Sequence, residues 1–218
     1  MIRIDPATGR VLARATAQAD VYDAAAGHDR LWLSGPQGVW QFAVGTPPAL
    51  VPALERAGST AFISGIAYQR ATGRLLAVDD STAAMAVDVG TGKKVASESL
   101  WLGKASLVVT GDGQVWAAGY STDQPTVLHL DPATLGVVGG SAASQGSGVG
   151  AIAWAGSSVV WVRNGSDEGL SCVRASDGVV ERRWDAVQGP VASNDRVGAF
   201  AVHNGLVYRL PLSEVCPG

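Results

Sequence analysis

Charge, sulfur and helical periodicity are all scarce in this chain. Only 16% of its 218 residues are Asp, Glu, Lys or Arg, against 47% apolar. That balance excludes a disordered chain and matches buried sheet. The net charge of −3 gives no electrostatic case for nucleic acid or for acidic membranes. No apolar run is long enough to span a bilayer, so no membrane insertion is expected in this segment. No signal peptide is visible, because Arg3 and Asp5 already lie in a strand-like segment. No segment offers a long stripe of period 3.6. Ala49 to Arg56 is the one tempting helix, and Pro52 argues that it is instead a fourth strand and its exit. No Gly-rich phosphate loop precedes a helix, no Cys/His set has zinc spacing, and no serine sits in a nucleophile elbow. No catalytic residue is therefore expected. The two cysteines, Cys172 and Cys216, read either as a buried thiol and a thiol near the C-terminus, or as a disulfide implying an oxidising compartment. Sequence does not show the geometry that decides between them.

What is present is repetition. Ile4-Asp5-Pro6-Ala7-Thr8-Gly9 returns as Val87-Asp88-Val89-Gly90-Thr91-Gly92 and as Leu130-Asp131-Pro132-Ala133-Thr134, with a worn copy at Val173-Arg174-Ala175-Ser176-Asp177-Gly178. The Asp, or its Arg174 counterpart, falls at 5, 88, 131 and 174, with a weak copy near Val44-Gly45-Thr46 inside the double gap. A period of about 43 residues is a unit of architecture. The phrase itself is turn chemistry. Asp accepts hydrogen bonds from N–H groups further on, proline pre-sets φ, and glycine takes the left-handed site.

The best-preserved unit runs from Lys104 to Ser141. Ser106-Leu107-Val108-Val109 is a strand, Gly111-Asp112-Gly113 a hairpin turn, Gln114 to Ala118 a second strand, Val127 to Leu130 a third, and Val137-Val138 opens a fourth. Trp32, Trp116 and Trp161 recur in the second strand as a ladder that packs unit against unit. Four antiparallel strands per unit of this length predict an all-β chain folded as a β-propeller of about five blades. Blades are expected at about 19–56, 60–101, 104–141, 149–185 and 190–216, with an N-terminal part-blade over 1–16. The part-blade either completes the last blade and closes a five-bladed ring, or the ring is incomplete and belongs to one of about six to eight blades.

The strand carrying Val-Trp-Ala or Val-Trp-Val, the polar loop and then Val-x-x-Leu-Asp-Pro-Ala-Thr resembles the YncE-like, YVTN-type bacterial β-propellers, whose relatives include virginiamycin B lyase. Val115 to Val138 carries that resemblance best. Ala86 to Lys93 also resembles the repeats of PQQ-type propellers. The resemblance implies a bacterial, extracytoplasmic binding, sensing or protein-interaction module without enzymatic activity. It leaves a metal-dependent enzyme of the lyase-like or lactonase-like type as the alternative. The lyase relatives pair a histidine base with a Glu-x-His element. This chain has no Glu-x-His, and His203 is the only candidate base by position.

In a propeller, the loops joining second to third strands share a face with the links between blades, and that face hosts ligands. Here it would carry Gln37, Asp79, Asp80, Tyr120, Asp123, Arg163, Asn164, Asp167, Glu168 and His203. Read blandly, this is a solvated rim. Read functionally, it holds a small polar ligand or a protein partner, with Asp79-Asp80 and Asp167-Glu168 as oxygen donors for Ca²⁺ or Mg²⁺. No other cofactor is expected.

Overall fold

A computed structural model describes residues 2–4, 8, 10–14, 20–27, 30–43, 49–55, 62–120, 126–141, 149–155, 159–164, 169–174, 177–184, 191–194, 198–203 and 206–210. β1 (Ile2–Ile4) and β2 (Val11–Arg14) form an antiparallel pair. The first four-stranded sheet is β3 (Asp23–Gly27), β4 (Arg30–Gly35), β5 (Gly38–Ala43) and β6 (Ala49–Leu50). The second is β7 (Ile63–Gln69), β8 (Arg74–Asp79), β9 (Ala83–Asp88) and β10 (Lys94–Ser99). β11 (Gly103–Val109), β12 (Val115–Tyr120), β13 (Val127–Leu130) and β14 (Val137–Ser141) make the third. β15 (Val149–Ala155), β16 (Val159–Asn164), β17 (Leu170–Arg174) and β18 (Val180–Trp184) make the fourth. A three-stranded sheet of β19 (Val191–Asn194), β20 (Gly198–His203) and β21 (Leu206–Leu210) follows. All pairings are antiparallel between consecutive strands.

The first strands β3, β7, β11, β15 and β19 neighbour one another in that order, so the sheets stand as propeller blades with these strands nearest the axis. Among the described residues β1 and β2 pair only with each other, and β19–β21 has no fourth strand. The ring is therefore open, and closure through Val11 to Ala13 is not the arrangement adopted. The tempting helix at 49–56 resolves into the two-residue strand β6 and a single 3-10 turn at Pro52–Leu54.

Burial grades from axis to rim. In β8, Leu75 to Asp79 are all buried, and in β9 Ala84 to Val87 are, whereas the outer β10 is almost wholly exposed. Inner strands covered on both faces read as continuous apolar runs rather than alternation. The core is laminated between blades. Leu76, Val78 and Ala86 of the second blade meet Leu107, Val115, Leu128 and Leu130 of the third, with Leu100 and Leu102 of the link between them filling the same layer. Trp32 packs with Ile66 and Leu75 of the next blade and stacks on Tyr68 with centroids 5.0 Å apart. Trp116 packs with Val173 of the fourth blade. Each fully buried leucine or valine contributes about 1.5–3 kcal/mol. Cys172 in β17 is buried and disulfide-bonded, and Cys216 lies outside the described residues.

Among the described residues the repeated phrase forms one turn three times over, most of the Ile4 to Gly9 copy lying outside them. Asp88 N–H donates to the Lys93 carbonyl (3.0 Å) and Gly92 N–H to the Asp88 carbonyl (2.8 Å). Asp131 N–H to Gly136 and Leu135 N–H to Asp131 reproduce this at 2.8 Å each, and Arg174 with Val179 and Gly178 at 2.9 Å each. The carboxylate of Asp131 accepts from Ala133 N–H, Thr134 N–H and the Thr134 hydroxyl. That of Asp88 accepts from the N–H and hydroxyl of Thr91. These bonds hold both carboxyls below the ordinary carboxylate range, the Thr91 hydroxyl leading for Asp88 and the Thr134 N–H for Asp131. The left-handed position is glycine at Gly92 (φ 68°) and Gly178 (φ 72°), as expected, but it is Leu135 (φ 67°) in the third copy. Leu135 is buried in the layer between blades two and three, so its side chain offsets a backbone cost of about 1–2 kcal/mol.

Two outcomes are expected. Gly92→Ala places a Cβ with nothing within 4 Å, so it isolates the backbone term and should cost about 1 kcal/mol by urea unfolding. Leu135→Gly relieves the strain but gives up a buried leucine worth about 2–5 kcal/mol, so it should still destabilise. A more stable Leu135→Gly protein would show that strain outweighs burial here. Because Asp88 and Asp131 have depressed folded values, their stabilisation is complete above the unfolded carboxyl value of about 3.9 and is lost as pH falls through the lower folded ones. The Asp88→Asn/Asp131→Asn variant should therefore lose less stability than wild type between about pH 5 and pH 2, measured by denaturant midpoints.

Candidate functional site

The hairpin ends after β4, β8, β12, β16 and β20 share one face with the links between blades, as the antiparallel order requires. Asp79, the last residue of β8, is buried at 2% exposure. Its Oδ1 accepts from Ser81 N–H (3.1 Å), the Ser81 hydroxyl (2.8 Å) and Ala83 N–H (2.9 Å). Asp80 is half-buried, and its Oδ1 accepts from Phe62 N–H at 2.9 Å while its own N–H donates to the Phe62 carbonyl. One aspartate thus closes the β8–β9 hairpin, and the other ties the entry of β7 to it. Tyr120 ends β12 and is 48% exposed. Gln37 is exposed in the β4–β5 turn. Arg163 and Asn164 end β16 and His203 ends β20, with side chains outside the described residues. Asp123, Asp167 and Glu168 lie outside the described residues altogether. Among the described residues no three His, Cys, Asp or Glu side chains gather into a metal-sized cluster.

His129 is the histidine whose side chain is described. Its ring stacks on Trp116 with centroids 4.5 Å apart and 9° between planes, and its Nε2 lies 2.7 Å from Gln114 Oε1. Burial lowers its pKa, against the opposing charge of Asp112. Its environment is that of a packing histidine on the outer half of blade three.

On the opposite face, a cleft of about 170 Å³ lies between blades one and two, bounded by Arg30, Trp32, Gln41, Leu50, Val87 and Asp88. Small-molecule sites run to about 300–1,000 Å³, so this cleft fits a side chain rather than a metabolite. Its polar groups already satisfy one another. Gln41 Oε1 accepts from Arg30 Nη1 (3.0 Å) and from Trp32 Nε1 (3.4 Å).

The feature that sequence reading passed over is Trp101. It sits in the link between blades two and three, 73% exposed, between the buried Leu100 and Leu102. Three non-glycine residues of this junction have left-handed backbones: Thr82 (φ 82°), Trp101 (φ 58°) and Lys104 (φ 48°). Leu100 N–H donates to the Thr82 carbonyl at 2.8 Å, joining the link to the β8–β9 hairpin. Strand register sets Tyr120 opposite Gly103, so two exposed aromatics flank this strained corner. Positive φ at a threonine is costly and persists only where its surroundings impose it. Here the Thr82 carbonyl is held by the Leu100 N–H, and the buried Leu100 and Leu102 on either side of Trp101 leave its ring outward. A signal was present in the sequence: Trp101 stands off the register of Trp32, Trp116 and Trp161.

No protein-family model matches the chain, and neither does any curated protein sequence. Solved structures do match in fold. The β-propeller domain of Cps50 (Swd1) from Myceliophteria thermophila superposes with a TM-score of 0.74 at 14% identity, covering 96% of this chain and 76% of that one. A chain of the mitotic checkpoint complex gives 0.72 at 14%, covering 96% and 68%. The WD40 domain of Pan2 from Neurospora crassa gives 0.68 at 12%, covering 88% and 62%. At such identities the likeness is one of fold, and it agrees with the β-propeller architecture built up above.

If Asp79 acts as described, Asp79→Ala leaves the Ser81 and Ala83 N–H groups without their acceptor and should cost about 1–3 kcal/mol in urea unfolding. Asp79→Asn retains an acceptor oxygen and should cost less. Equal stability of wild type and Asp79→Ala would return this carboxylate to the pool of free ligands.

Proposed function

We propose that the chain is a non-enzymatic β-propeller interaction module of a bacterial extracytoplasmic protein, of the YncE-like kind, which binds a protein partner on the face bearing Trp101. The observation that carries the proposal is the contrast on that face. Both carboxylates described there are engaged in hairpin and inter-strand bonds. The exposed, conformationally fixed group is an indole, with Tyr120 beside it. Tryptophan and tyrosine dominate binding energy at protein interfaces because they bring large contact area with few rotors. A fixed backbone under Trp101 lowers the entropy lost when it docks. One propeller of similar fold was solved within the mitotic checkpoint complex, which is in keeping with use of this scaffold as an assembly surface. The disulfide at Cys172 supports an oxidising compartment. The Val-x-x-Leu-Asp-Pro-Ala-Thr phrase ending in Leu130 to Thr134 supports the bacterial kinship.

The test is a quantitative pull-down with the wild-type chain and with Trp101→Ala. Alanine leaves the left-handed backbone cost in place and removes an exposed ring, so the melting temperature should hold. Bound partner should fall by about tenfold or more, the effect of losing an interface hot spot. Identical partner profiles for the two proteins would overturn the proposal. Calorimetric titration with Ca²⁺, Mg²⁺ and Mn²⁺ addresses the enzymatic alternative, which requires a bound divalent ion.

A further inference from the structure

Left-handed backbone at a residue other than glycine persists only where something offsets its cost. At Leu135 the offset is burial between blades. In the link between blades two and three burial offers none. Trp101 (φ 58°) and Lys104 (φ 48°) are both left-handed and both exposed. A glycine is at hand in Leu102-Gly103-Lys104, yet it occupies position 103, outside the left-handed region. Glycine at 101 or 104 would turn the chain without that cost. Among the described residues the Lys104 ammonium has no carboxylate or carbonyl partner, and the Trp101 ring stacks on no other ring.

The rings nearby form one strip. Tyr22, at the entry to β3, is 46% exposed, and its ring lies 4.7 Å from that of Phe62, at the entry to β7. Phe62 is bonded to Asp80 of the β8–β9 hairpin, and the Thr82 carbonyl of that hairpin accepts from Leu100, next to Trp101. Tyr120 stands opposite Gly103. Ring contact, hydrogen bonds and strand register thus join Tyr22, Phe62, Trp101 and Tyr120 across the entries of three successive blades. Asp79 and Asp80 each turn Oδ1 to N–H groups of the fold. The charge held free beside the rings is the Lys104 ammonium.

We propose that the partner bound on this face presents an extended acidic segment, which lays apolar side chains along the strip from Tyr22 to Tyr120 and sets a carboxylate on Lys104. The proposal rests on the reading of this face given above and adds the partner's chemistry to it. Packed sheets lie about 10 Å apart, so three blade entries span about 20 Å, the length of roughly six residues of extended chain. Lys104 follows Trp101 by three residues, so neighbouring residues of one segment reach both. Backbones already fixed at 101 and 104 lower the ordering lost on docking. A basic segment would meet like charge at Lys104, so the same ammonium discriminates against it.

Selection of a random peptide library on the immobilised chain tests this, run in parallel on wild type, Lys104→Glu, Lys104→Gly and Trp101→Ala. Wild type should enrich peptides in which Asp or Glu stands within a few residues of an aromatic or aliphatic residue. Lys104→Glu should reverse the bias from acidic to basic. For the most enriched acidic peptide, read by fluorescence anisotropy, Lys104→Glu and Trp101→Ala should each weaken binding by about tenfold or more. Lys104→Gly relieves the backbone, so it should melt no lower than wild type while binding that peptide more weakly. The proposal is overturned by the absence of any enriched peptide, by enrichment without acidic bias, or by a bias or affinity that the Lys104 variants leave in place. A lower melting temperature for Lys104→Gly overturns it too, since the lysine would then serve the fold. The reading it rests on fails separately, when Trp101→Ala keeps the partner in the pull-down.

Discussion

Everything in this fold depends on one constraint: the middle strands β8, β9 and β12 are apolar and buried on both faces, so a blade buries its residues only by having a neighbour on each side. β8 and β9 show it most plainly, with buried side chains pointing alternately into the layers before and after them. The closest approach is near the axis, where backbone meets backbone. A Cβ on Gly65 of β7 would lie 2.6 Å from the Ala105 carbonyl of β11, and Ser64 donates its hydroxyl to that same carbonyl at 2.8 Å. One blade earlier, Asp23 of β3 accepts from the Ile66 N–H of β7 at 2.9 Å. Asp23 and Ile66 are 43 residues apart, so the repeat length read from the sequence is also the span of a single inter-blade hydrogen bond.

The Asp23 contact shows how polar groups are tolerated in such a laminate. Burial raises its pKa, and the N–H groups of Ile66 and Ala24 act against that rise. A carboxylate that receives backbone donors from two successive strands fixes their relative height, which apolar packing alone does not do. Trp32 and Trp116 supply bulk, the side chain of Trp161 lying outside the described residues, and these few polar links supply register. Not every polar atom is settled: the Trp116 indole N–H and the Thr126 hydroxyl are buried without hydrogen-bond partners. Both lie in blade three and a third, Glu181 Oε2, lies in blade four, so among the described residues packing has taken precedence over polar satisfaction in both blades.

How much of this was legible in the sequence depended on whether the signal was periodic. Strand order, the four-stranded blade and the inward Trp32 and Trp116 follow from spacing, because a 43-residue repeat leaves little choice of architecture. The candidate site was poorly legible. An Asp-Asp pair at a strand end reads the same whether its oxygens face a cation or the N–H groups of the next turn. Asp79 and Asp80 face N–H groups. Trp101 was missed because blade links carry no period, and because its outward direction goes with a left-handed backbone between two buried leucines. Leu135 escaped for a related reason. The turn predicts glycine there, and the side chain present is retained by burial contributed from a different blade.

The three copies of the turn separate what the fold requires from what it merely uses. Asp88 and Asp131 bind N–H groups with a carboxylate, and Arg174 cannot, yet the backbone bonds at 174 match those at 88 and 131. In the Arg174 copy the duties are redistributed. Asp177 accepts from the Val179 N–H, and Arg174 spans Asp177 and Glu181 at 2.9 and 2.6 Å. The charge at the first position has inverted while the geometry has not moved. What is repeated is therefore a backbone path, closed by two main-chain bonds and a left-handed residue, with the side chains as interchangeable means of holding it. A motif whose chemistry can invert without structural consequence is a poor place to look for a ligand. The residue to weigh instead is one that breaks the repeat, the outward Trp101.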